Sequence, residues 1–386
     1  MKELSELIGK NRIIVCCGSG GVGKTTNAAA LAVEGARQGK RTCVVTIDPA
    51  RRLADALGLD SLSNSPRQLE GEWCGELWAL MLDSKSTFDA AIIRYARDTT
   101  QAEAILGNRL YRNLRDALSG TQEYMAVEKL YQLHQEGGFD LIVVDTPPTR
   151  RAIDFLNAPR HLTGLLDHPA VRLLVAPGRA YVRAISFAAR APLHAVAKIV
   201  GAETFLDALA FARAFEGMES GIRTRAGKVS ELFSDPSTAF VLIVAPREDS
   251  IEEGRLFAAH LAASGIPVRA LIVNRVQPHF DPQPHAAPLD VVCGTSSQTR
   301  GDWGVEALAN LRTNWVQLRS VATYEDNSVA ALGEEVAPAL VVRVPLLEVD
   351  VHDLEGVEMV ADHLFGLTDS GHHFANAGAT RSAEDG

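Results

Sequence analysis

The sequence predicts an α/β protein: a doubly wound, mostly parallel sheet with a helical subdomain. Three observations carry that expectation. Short apolar runs rich in Val and Ile recur at 12–17 (RIIVCC), 42–47 (TCVVTI), 77–82, 141–144 (LIVV), 239–244 (AFVLIV), 270–276 (ALIVNRV) and 339–344 (ALVVRV). They are continuous rather than alternating, as strands covered on both faces require. The segments between them return apolar residues at helical spacing, so strand and helix alternate along the chain.

Taken in order, the first run leads into the glycine-rich loop GSGGVGKTT, residues 18–26, and then into the Ala-rich helical stretch NAAALAVEGARQGK. The second run ends at Asp48 and is followed by PARRLADALG, a further helical start. Between the third strand and LIVVD, apolar positions such as Leu110, Leu114 and Leu118 predict a helical insertion at about 84–136. A second insertion, helical throughout, is expected at about 155–233; it is rich in Leu, Ala and Val and dotted with Arg172, Arg179, Arg183, Arg190 and Lys198. Residues 277–304 read as an unusually long Pro-, Ser- and Gly-containing loop, functional or disordered. The tail at 369–386 is expected to be disordered. All of this is read as one domain over residues 1–368, without internal repeats.

Composition narrows the function classes. The 386 residues include 38 basic and 48 acidic side chains, for a net charge of -10 and a pI of about 5.6. That balance argues against nucleic acid and anionic lipid as partners. The first strand begins by residue 12, which leaves no room for a secretory leader, and no run reaches the roughly 20 apolar residues of a membrane helix. A cytoplasmic protein without a transmembrane segment is expected. Five cysteines with no CxxC pair make neither a disulfide framework nor a thiolate zinc site. Cys16, Cys17 and Cys43 lie in strand runs and read as buried reduced thiols.

The loop carries the chemistry. Gly18, four residues, Gly23, Lys24 and Thr25 spell G-x-x-x-x-G-K-[ST] after a strand and before a helix, the signature of a P-loop NTPase. Backbone N–H groups of Gly20, Gly21, Val22, Gly23, Lys24, Thr25 and Thr26 are expected to cradle phosphates, aided by the positive end of the helix. Lys24 neutralises the β and γ phosphates and the Thr25 hydroxyl ligates Mg2+. Asp145, at the end of LIVV, is expected to anchor the metal through a bound water. Asp48 leaves its strand at the same sheet edge and is assigned to orienting the attacking water. The alternative for each Asp alone is a cap on the next turn or helix. Asn274-Arg275-Val276-Gln277 lacks the carboxylate that reads guanine, so ATP is the expected nucleotide.

Several ordered motifs then support a resemblance. GSGGVGKTT, IDPARRLADALG, LSGTQEYMAVEKLYQL, VVDTPPTRRAIDFLNAP, VNRV and VPLLEVDVHDLEG together resemble the arsenical-pump and tail-anchored-protein-targeting ATPases, in particular their bacterial branch, over about residues 10–367. The resemblance implies a dimeric ATPase of the deviant P-loop class, with ATP at the subunit interface. It implies that Asp48 activates water in a first switch, that Asp145 to Thr149 form a second switch, and that Asn274 and the loop around Pro345 hold adenine.

The departures matter equally. The family loop reads GKGGVGKTT, and its first Lys reaches the partner's nucleotide; this chain has Ser19 there. Cationic fingers acting in trans are worth ~10³ to 10⁵ in rate, so slow turnover is expected of the chain alone. A heterodimer with a homologous Lys-bearing subunit is expected ahead of a homodimer. Arg150 and Arg151 stand where many relatives have Gly-His. The zinc-clamping cysteine pair and the arsenite-sensing cluster are missing, and Cys74, Cys293, His279 and His285 have no ligand-like spacing. The expected role is an ATPase subunit coupling ATP-driven closure to a hydrophobic or membrane-protein client. The alternatives are a regulatory subunit of weak activity and the motor of an oxyanion exporter.

Overall fold

The computed structural model describes residues 2–48, 50–109, 111–113, 121–136, 138–167, 217–278 and 305–367, with isolated positions between 207 and 214. Leu110, Leu114 and Leu118, the basic residues from Arg172 to Lys198, most of the 277–304 loop and the tail from 369 lie outside the described residues, as do His279, His285 and Cys293.

Eight strands form one sheet: β1 (Ile13–Cys17), β2 (Arg41–Thr46), β3 (Arg67–Leu69), β4 (Glu76–Met81), β5 (Leu141–Asp145), β6 (Thr238–Val244), β7 (Val268–Val276) and β8 (Leu340–Pro345). Their order is β3-β4-β2-β5-β1-β6-β7-β8, and every pairing is parallel except that of β3 with β4. The mostly parallel α/β fold expected from the sequence is the fold observed. The antiparallel edge strand β3 was not anticipated: three residues, RQL, two of them exposed, carry no apolar run to betray it.

Eleven helices are described: α1 (Lys2–Lys10), α2 (Lys24–Arg37), α3 (Arg52–Ala56), α4 (Ser84–Tyr95), α5 (Thr99–Leu106), α6 (Thr121–Glu136), α7 (Thr149–Asp167), α8 (Glu219–Ser234), α9 (Glu248–Ala263), α10 (Val305–Glu335) and α11 (Leu354–Phe365). Strand side chains alternate between faces, and the two faces feed separate cores. Ile14 and Cys16 meet α1, α2 and α11, whereas Ile13, Val15 and Cys17 meet α6, α7, α8 and α9. β1 is buried along its full length because both faces are covered. A satellite core of Ile92, Ile105, Tyr111, Met218 and Ile222 ties α4 and α5 to the start of α8. Cys16, Cys17 and Cys43 are buried free thiols, and burial pushes Cys17 and Cys43 up to about 12. Among the described residues no helix is long and apolar enough to cross a membrane.

Candidate active site

The carboxyl ends of β1, β2, β5 and β7 converge on the glycine loop. β1 sits between β5 and β6, where the chain's excursions to the two halves of the sheet diverge, the place where open α/β sheets leave a crevice. Gly23 adopts φ 87, ψ 26 immediately before α2. A Cβ there would be strained in that left-handed backbone and would collide with the Asn274 amide. At Gly20 and Gly21 a Cβ would meet nothing within 4 Å among the described residues, so one side of the loop is open to them.

Parallel register explains the next feature. Asp145 pairs with Cys16 of β1 on one side and Thr46 of β2 on the other, so three strand ends lie abreast. Thr25 Oγ1 donates to Asp145 Oδ2 at 2.8 Å, and Thr46 Oγ1 donates to the same oxygen at 2.9 Å. Asp145 is 1 % exposed, and its other oxygen, Oδ1, has no hydrogen-bond partner among the described residues. Burial lifts its carboxyl to about 6, against the pull of both hydroxyls and of Lys24. A buried acceptor left unpaired is costly, and an acid beside a hydroxyl at a strand end is an oxygen donor set suited to a hard cation.

Lys24 Nζ donates to the Ser19 carbonyl at 2.6 Å, and burial lowers its pKa. Asp48, part-buried, accepts from the Ala50 N–H at 3.1 Å and stands 3.5 Å from the Arg52 guanidinium. It faces the same edge but touches neither Asp145 nor Thr25 among the hydrogen bonds of the site. Asn274 is buried and donates through Nδ2 to the Val22 carbonyl at 2.8 Å. Pro345 closes β8, paired with Val276 of β7. The structure thus brings Lys24, Thr25, Asp145 and Asn274 into contact with the loop or each other. Thr26 lies one residue further into α2, and Pro345 lies three strands away from β1.

Ser19 is only 5 % exposed. Its hydroxyl donates to Ser250 Oγ at 3.0 Å, which in turn accepts from the Ala245 N–H. The side chain at this position therefore faces inward, towards the first turn of α9. The side chains of Arg150 and Arg151 lie outside the described residues.

Sequence reasoning missed three contributors. Thr46 ends the run TCVVT, and only its register with Asp145 makes it a partner. Ser250 is 231 positions from Ser19 and has no motif. Arg275 was quoted only for lacking a base-reading carboxylate, yet its guanidinium donates to the Gly21 carbonyl at 3.2 Å.

The chain has recognisable relatives among known proteins. Residues 11–287 match the model of a family described as anion-transporting ATPase. The chain is 29 % identical over 303 residues to the uncharacterised protein SCO2128 of Streptomyces coelicolor, covering 78 % of this chain and 72 % of that one. It is 27 % identical over 275 residues to a protein of Aquifex aeolicus provisionally named arsenical pump-driving ATPase 2, covering 69 % and 81 %. It is 28 % identical over 301 residues to ATPase GET3B of Arabidopsis thaliana, covering 72 % and 68 %.

Proposed function

The chain belongs to the anion-transporting ATPase family, and from that membership we propose that it is the ATP-binding and ATP-hydrolysing subunit of a dimer that handles a hydrophobic or membrane-associated client. The observation that carries the ATPase reading is the Thr25–Asp145–Thr46 cluster at the foot of an open glycine loop, with one Asp145 oxygen buried and unpartnered. Those residues fit Mg2+: Thr25 would hold it directly and Asp145 through water. Magnesium, when bound, would neutralise phosphate charge.

The other roles belong to the protein's own groups. Backbone N–H groups from Gly20 to Thr26 and the α2 N-terminus bind phosphate oxygens. Lys24 exchanges the neutral Ser19 carbonyl for an anionic phosphate oxygen, a stronger charge-assisted hydrogen bond. Asp48 accepts a hydrogen bond from the attacking water at a carboxylate oxygen and orients it. Asn274 and Pro345 border the adenine. The family likeness supports a client-handling role and a cytoplasmic setting.

Single-turnover hydrolysis tests the core of this reading. Asp48→Asn is expected to keep ATP affinity and to lose about 10² to 10⁴ in rate. An unchanged rate would instead favour a subunit that binds nucleotide without using it. That second reading draws on Ser19, whose inward hydroxyl offers no cation to a partner. On the same ground we propose a Lys-bearing homologue as the second subunit. Mixing the two chains is expected to raise turnover well above that of this chain alone; brisk turnover alone, unaffected by Ser19→Lys, removes the heterodimer.

A further inference from the structure

Successive residues of a strand point to opposite faces of the sheet. At the end of β7 that rule is broken. Asn274 donates to the Val22 carbonyl, and its neighbour Arg275 donates to the Gly21 carbonyl, so both side chains reach the same loop. The break has a visible cause. Arg275 has φ 63, the one positive φ at a non-glycine among the described residues, and the pairing of β7 with β8 shifts register between Asn274 and Val276. A residue with a Cβ adopts this backbone at a cost, and such outliers cluster at ligand sites.

We infer that Arg275 is a phosphate-binding residue whose guanidinium moves from the Gly21 carbonyl onto the anionic phosphate oxygens of a nucleoside triphosphate in its own loop. The inference rests on the ATP site proposed above. Asn274 is buried, and its bond to the Val22 carbonyl holds the end of β7 against the loop. Arg275 is exposed, and among the described residues its side chain makes one hydrogen bond, of 3.2 Å, to a neutral acceptor. At Gly21, whose carbonyl it meets, and at Gly20 a side chain would find open space among the described residues. A guanidinium at the rim of an open phosphate cradle gains by trading a carbonyl for an anion, because ionic hydrogen bonds are shorter and about twice as strong. Its fork of donors suits phosphate oxygens better than an ammonium of the same charge would. Lys24 is buried, so it meets phosphate inside the loop rather than at its exposed rim.

Direct titration of ATP into the full chain, with Mg2+, tests the assignment in Arg275→Ala, Arg275→Gln, Arg275→Lys and Lys24→Ala, with thermal melting without nucleotide as the control for folding. Gln keeps a donor for the Gly21 carbonyl but no charge, whereas Lys keeps the charge. Loss of about tenfold or more in ATP affinity for Ala and Gln, with most of it recovered by Lys, is the expected pattern. Affinity in Arg275→Gln equal to the natural chain would overturn the inference, because the side chain would then serve the loop alone. If Lys24→Ala abolishes binding while Arg275→Ala leaves it intact, Arg275 is excluded and the ATP site stands. If the natural chain binds no ATP, both fall together.

Discussion

Asp145 carries two opposed demands, and its titration exposes them. Burial favours the protonated acid and lifts its carboxyl from the ordinary 3.8 to about 6, while a metal ion needs the carboxylate. The folded chain therefore holds a proton that the unfolded chain releases between about pH 4 and 6. Stability from this group is full below the unfolded value and is lost as pH rises through the folded one. At about 1.4 kcal/mol per unit, the difference at neutral pH is roughly 3 kcal/mol. Asp145→Asn, without nucleotide, is expected to gain stability on the natural chain as pH rises from 4.5 to 7.5 in urea denaturation, and to lose Mg2+-dependent ATP affinity. A stability difference that stays flat across that range would show that the buried acid does not titrate as described.

At the scale of elements, α2 shows how a helix is fitted to a sheet. It is buried on nearly all sides between β2, β5 and α11, so its Ala-rich sequence keeps it thin enough to lie close. Gly35 marks the tightest approach: a Cβ there would come within 2.6 Å of both Thr42 Oγ1 and Leu141 Cδ2. Ala is the better helix former by about 1 kcal/mol, but overpacking a filled core costs about 1–3 kcal/mol. The Leu141 methyl can turn aside, whereas the β-branched Thr42 is stiff. Packing is thus expected to win, and Gly35→Ala should lower stability by about 1 kcal/mol in chemical denaturation. A rise in Tm would mean that the helix–sheet gap gives way more readily than its neighbours suggest.

For the whole molecule, the strand order decides where chemistry occurs. With β1 in the middle of eight strands, its loop is reached from one side by Asp145 of β5 and from the other by Asn274 and Arg275 of β7. The inward bond from Ser19 to Ser250 joins that loop to α9, so the loop, β6 and α9 meet at a single buried hydroxyl pair. If the site is completed by a second subunit, an Asp48→Asn chain held with ATP should sediment as a dimer when the Lys-bearing homologue is added. Monomers under those conditions would confine the ATP cycle to one chain.

The sequence by itself determined the strands of the parallel sheet, because a strand buried on both faces must be apolar throughout, and it singled out Gly23, Lys24, Thr25 and Asp145 as candidates, because phosphate and metal chemistry tie residue types to fixed spacings beside a strand end. What it left open were residues whose roles depend on neighbours distant in the chain. Thr46 became a partner of Asp145 through register, Ser19 turned inward because Ser250 lay 231 positions away, and Arg275 reached the loop because a left-handed residue broke the strand's alternation. Local propensity and motif spacing act along the chain, whereas hydrogen-bond partners across a sheet edge are chosen by topology, and that choice exists only once the sheet has formed.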